Sequence, residues 1–186
     1  MNLVIGDIIL WKNIKSFGSW LQRFMSKISP RSRTIYSHFG IFAGSTELGF
    51  NQEFEATIPE VGFHTYKYEW ESKCDIFTIK APYDIRKQAL RDCVNQYEGE
   101  NYGFVSWVTI LIRYIGEMLG FKNAHSWDIF YGWGIHCSEL FVYVLWIATE
   151  MDWVDLIKVL CEYNPNTFTT QDIRNIINRF PQYFKE

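Results

Sequence analysis

Across its 186 residues the sequence has no uninterrupted apolar run near the roughly 20 residues that a membrane-spanning helix requires. No integral membrane segment is expected. Met1 to Leu10 also lacks the basic start and long apolar stretch of a signal peptide, which predicts an unprocessed, cytoplasmic protein. A basic stripe is missing too: acids and bases are interspersed and the net charge is −3, so there is no electrostatic footprint for nucleic acid. Cysteines number only four (Cys74, Cys93, Cys137 and Cys161), widely scattered, with neither a CxxC pair nor a zinc-like Cys/His spacing. Reduced thiols are expected, with no metal and no cofactor.

Aromatic residues are abundant, with eight Trp and fifteen Phe. They supply large buried areas or the walls of an apolar groove, and core packing accounts for most of them. The length suits one domain, 1–186, able to bury a core without disulfides. Leu3 to Trp11 reads as a strand broken near its start by Gly6-Asp7, and Ile14 to Ile28 has helical spacing. Tyr36 to Phe42 reads as a strand closed by a turn at Gly44-Ser45, with a second strand, Phe54 to Ile58, pairing back as a hairpin. One or two strands are expected between Thr65 and Lys80, the clearest being Cys74 to Ile79. Helices are expected over Asp84 to Tyr97, Phe104 to Leu119 (ended by Gly120), Cys137 to Ala148 and, after a Thr cap, Asp172 to Asn178. The Cys137 helix is apolar nearly all round and reads as buried and central.

Cys137 stands where the irregular stretch Gly132 to His136 turns into that helix. A thiol there meets the positive end of the peptide dipoles and unpaired N–H groups, which favour thiolate and can face an oxyanion. A free cysteine is more often a small buried hydrophobe, and Cys74, Cys93 and Cys161 fit that description. The base for such a nucleophile is ordinarily histidine. His38 lies in a strand, where geometry is rigid; His64 and His125 fall in expected loops. His136 is too close in sequence for easy pairing but is placed at the pocket wall, as is Trp133. Glu55, on the strand expected beside His38, is the third group that would orient the imidazole, with Glu53 the alternative on the same face. A solvent-facing carboxylate is the plain alternative for Glu55.

Ser37-His38-Phe39-Gly40-Ile41 and Cys137-Ser138-Glu139-Leu140-Phe141 resemble the two signature stretches of permuted NlpC-type papain-like proteins, most closely the YiiX-like branch. The order histidine, acid, cysteine is that of the permuted group. The resemblance implies an α+β, circularly permuted papain-like fold: a small antiparallel sheet or barrel packed against helices, with a central helix starting at Cys137. It implies catalytic Cys137 and His38 with Glu55, and, together with strand phase, places Asp7 and Tyr36 near the pocket. The implied chemistry is acyl transfer from an amide, ester or thioester through an acyl-enzyme, as in a peptidase, amidase or lipid-modifying enzyme resembling lecithin retinol acyltransferase. Partners are then a peptide or acyl/lipid substrate. The competing reading is a catalytically silent binding or structural module on the same fold, such as a phage or viral particle component.

Overall fold

The computed structural model describes residues 3–12, 36–57, 59–66, 73–102, 104–124, 137–149 and 170–185. These form an α+β unit: strands β1 (Ile8–Lys12), β2 (Tyr36–Ser45), β3 (Asn51–Ala56), β4 (Val61–Tyr66) and β5 (Cys74–Ile79), helices α1 (Tyr83–Tyr97), α2 (Phe104–Met118), α3 (Cys137–Thr149) and α4 (Thr170–Arg179), then the short β6 (Phe184–Lys185). The strands make one six-stranded sheet in the order β4-β3-β2-β1-β5-β6, every neighbouring pair antiparallel.

Strand β1 is central and buried on both sides, which is why Ile8-Ile-Leu-Trp11 is a continuous apolar run rather than an alternating one. Successive side chains project to opposite faces. Ile8 and Leu10 join Phe39, Ile41, Phe54, Ala56, Phe77 and Ile79 in the main core, while Ile9 and Trp11 join Phe42 and Cys74 in a second cluster.

Helix α3 fills the main core with Leu140, Phe141, Val144, Leu145 and Ala148, one face of the helix at i, i+1, i+4, i+5 and i+8. The opposite side is not buried as its composition suggested, since Trp146 is 48% exposed. Helix α1 buries Arg86, Ala89, Leu90 and Cys93 along its inner face and starts after Pro82, one residue before the expected Asp84. Helix α4 adds Ile173, Ile176 and Ile177. It begins at Thr170, earlier than expected, and the Thr170 hydroxyl donates to the Tyr36 carbonyl oxygen (3.0 Å), tying α4 to β2. Arg113 of α2 pairs with Asp172 of α4 (3.0 Å) and with Glu117 (3.0 Å), all nearly buried.

Strand β1 begins at Ile8, not at the expected Leu3, and the β2–β3 hairpin differs as well. Gly44 does not close β2: at φ 129° it sits at an irregularity between Phe42 and Gly44, the strand runs on to Ser45, and the turn falls at Thr46 to Gly49. Strand β3 accordingly starts at Asn51, before the expected Phe54. The expected helix Ile14 to Ile28, Ile58, and most of Lys122 to Gly134 lie outside the described residues.

Candidate functional site

Pairing of β2 with β3 and of β3 with β4 puts His38, Glu53, Glu55, His64 and Tyr66 on one sheet face. His38 Nε2 is hydrogen-bonded to Glu55 Oε2; the histidine side chain is 15% exposed and the glutamate 0%. The Tyr66 hydroxyl donates to the other carboxylate oxygen, Glu55 Oε1, at 2.5 Å. His64 Nδ1 lies 4.0 Å from that oxygen, and its Nε2 is 2.8 Å from Thr57 Oγ1.

Burial alone would push the Glu55 carboxyl up. The charge attraction of His38, the hydrogen bonds from His38 and Tyr66, and His64 together outweigh it and hold the group below the ordinary carboxylate value. An ionised carboxylate only accepts, so Nε2 of His38 carries the proton and Nδ1 is the ring nitrogen turned away from Glu55. Burial, then the charge of Glu55, push the Tyr66 phenol up, so it remains a donor.

Glu53 is equally buried but behaves oppositely. Trp11 Nε1 donates to its two oxygens at 2.9 and 3.1 Å, yet burial and the neighbouring Glu55 charge push it up to about 8. Of the two acids, the one touching His38 is Glu55. Glu53 instead lies over Gly40, where a Cβ would collide with its carboxyl group.

A raised folded value means that folding favours protonated Glu53. Its contribution to stability is full below the ordinary carboxylate value and is lost as pH rises from 4.5 through about 8. Glu55 works in the reverse sense, contributing above the ordinary value and losing its contribution as pH falls through its lowered one. We predict that the wild-type Tm falls between pH 5 and pH 9 and that Glu53→Gln abolishes most of that fall. Parallel Tm–pH curves for the two proteins would place the titration elsewhere.

Asp7 and Tyr36 are engaged elsewhere. Asp7 accepts from Arg86 of α1 (3.1 Å) and from the Val4 N–H (2.8 Å), just before β1, whereas the cross-strand partner of His38 is Trp11 near the strand's other end. The structure therefore does not bring Asp7 to His38. The Tyr36 hydroxyl donates to Asp75, which also pairs with Lys12, and the Tyr36 ring belongs to the main core. Cys74 and Cys93 are buried, and burial above all pushes each thiol up to about 12. His125, Trp133, His136 and Cys161 lie outside the described residues.

Cys137 is the first residue of α3, as the sequence reading expected; its side chain is outside the described set. One turn further along α3, the Phe141 ring meets Phe39, the residue after His38, edge-on at 5.7 Å between centroids. Strand alternation aims Phe39 at the helices and His38 at the other face. The start of α3 and the His38 end of β2 are thus neighbours, with the imidazole rooted on the far side of the sheet from the body of α3.

Trp11 and Tyr66 were not singled out from sequence. A Trp inside an apolar strand was the available signal for Trp11, since a buried indole N–H needs an acceptor. Among the described residues, no helix is long and apolar enough to cross a membrane, and no group of three or more His, Cys, Asp or Glu side chains is arranged to hold a metal ion. No family model, no curated protein and no solved structure matches this chain.

Proposed function

We propose that the chain is a cysteine hydrolase or acyltransferase of the permuted papain-like type, with Cys137 as nucleophile, His38 as base and Glu55 as the group that orients the imidazole. The observation that carries this reading is the His38–Glu55 pair, an ionised and fully buried carboxylate bonded to the histidine of the Ser37-His38-Phe39-Gly40-Ile41 stretch. Glu55 fixes the tautomer that leaves Nδ1 to serve as acceptor.

In the proposed cycle Nδ1 takes the thiol proton of Cys137 as Sγ attacks the carbonyl carbon of an amide, ester or thioester. N–H groups at the start of α3 face the resulting oxyanion. Imidazolium returns the proton to the leaving amine, alcohol or thiol as the tetrahedral species collapses, leaving an acyl thioester on Cys137. Water or another nucleophile then gives its proton to Nδ1 and attacks the thioester, which releases the acyl group and restores the thiol. The class of substrate is a peptide or a lipid acyl group, and the setting is cytoplasm or a virion.

One observation favours a second reading. His38 projects from the sheet face opposite the one that α3 packs on, so the pair also suits a silent binding or structural module in which His38 and Glu55 only stabilise that face. Trapping separates the two. Quenching the protein after brief exposure to activated acyl esters and thioesters should give an intact-mass adduct mapping to Cys137, absent in Cys137→Ala and reduced at least tenfold in His38→Ala. A panel that acylates no thiol selectively would favour the silent module.

A further inference from the structure

We infer that Tyr66 is a positioning residue for His38, acting through Glu55; this rests on the proposed role of His38 as base. Glu55 has two oxygens and a flexible side chain, and only Oε2 meets the imidazole. What selects that arrangement is Tyr66, whose hydroxyl donates to Oε1 at 2.5 Å from the neighbouring strand.

The phenol is itself fixed. Tyr66 stands at the end of β4 opposite Asn51, and its ring lies against the Trp11 indole at 5.1 Å between centroids. Trp11 in turn donates to Glu53, so both carboxyl groups on this face are anchored by the aromatic pair. The two anchors do different work. Trp11 holds the acid that stays neutral near pH 7, whereas Tyr66 holds the charged one and shares its charge between an oxygen it occupies and an oxygen left for His38.

Without the hydroxyl, Glu55 would have one donor fewer in a buried site and would be free to turn toward His64, whose Nδ1 is 4.0 Å from Oε1. A hydrogen bond to the charged form of a carboxylate favours that form, so its loss makes Glu55 more basic; what weakens the pair with His38 is the freedom of the carboxyl group to turn away from the imidazole. Tyr66→Phe removes this bond and keeps the ring on Trp11.

The test is nitrogen NMR of His38 in wild type, Tyr66→Phe, Glu55→Gln and the double variant. In wild type the neutral ring should be predominantly the Nε2–H tautomer. Tyr66→Phe should shift it toward a mixture and lower the His38 midpoint by about one pH unit, the scale of a lost hydrogen bond to an ionised group. In the Glu55→Gln background the same substitution should do nothing further, because the effect passes through the carboxylate. A His38 tautomer and midpoint unchanged in Tyr66→Phe would overturn the inference, as would an equal shift in the Glu55→Gln background. The proposed catalysis fails separately: if His38 responds as described while Cys137 takes up no acyl group in wild type, Tyr66 positions a histidine that is not a base.

Discussion

Gly40→Ala destabilises the protein by about 3 kcal/mol, at the upper end of what one added methyl group costs in a closely packed interior. The added Cβ would fall on the Glu53 carboxyl group, which cannot swing into solvent because Glu53 is fully buried. It is held from one side by Trp11 Nε1, and Glu55 lies on the same face two residues along the strand. Relief therefore needs either a shift of β2 against β3 or loss of the Trp11 bond. Chemical denaturation measures the cost directly. If the clash is with Glu53, Gly40→Ala combined with Glu53→Ala will be less destabilised than the sum of the two single variants, because the second removes what the first collides with. Strict additivity, or a Gly40→Ala cost under about 0.5 kcal/mol, would show that another neighbour fills the space. The same contact gives a physical reason for glycine two residues after His38: the small residue makes room for the second buried acid.

Much of the fold was legible in the sequence where a segment carries one strong pattern. Cys74 to Ile79 and the amphipathic Asp84 to Tyr97 each correspond to an element within a residue or two, and the strand read over Leu3 to Trp11 corresponds to β1, which begins only at Ile8. Segments whose residues carry two meanings were harder. Gly44 signals a turn by composition, but its positive φ serves an irregularity inside β2, and the turn lies beyond it. Strand β4 was largely missed because Val61-Gly-Phe-His-Thr-Tyr66 lies at the sheet edge, where Phe63 is left 43% exposed and Gly62 interrupts any propensity signal. Missing β4 meant missing Tyr66.

The candidate site divides along the same line. A hairpin read from sequence was enough to place Glu55 beside His38, because pairing distance follows from two adjacent antiparallel strands. It was not enough to separate Glu55 from Glu53. Both have the same strand phase, and their difference comes from donors on other strands: Trp11 on β1, remote in sequence, for one, and Tyr66 on β4, a strand not read from the sequence, for the other. Asp7 shows the converse failure. The resemblance and strand phase placed Asp7 near the pocket, but Arg86, distant in sequence on α1, pairs with it instead.

The central claim is that Cys137 is a thiolate nucleophile served by His38, and its most direct test is rate-resolved alkylation of the four cysteines with iodoacetamide across pH, read by peptide mass spectrometry in wild type and in His38→Ala. Cys74 and Cys93 provide internal references, since burial pushes both thiols up to about 12 and leaves almost no thiolate at neutral pH. A general base contributes on the order of a hundredfold or more to such chemistry. We predict that Cys137 reacts at least tenfold faster than the two references at pH 7, with a depressed apparent pKa, and that His38→Ala removes most of that excess. Four thiols reacting as their exposure alone dictates, indifferent to His38, would contradict the account and leave the pair of His38 and Glu55 as a stabilising feature of a binding or structural module.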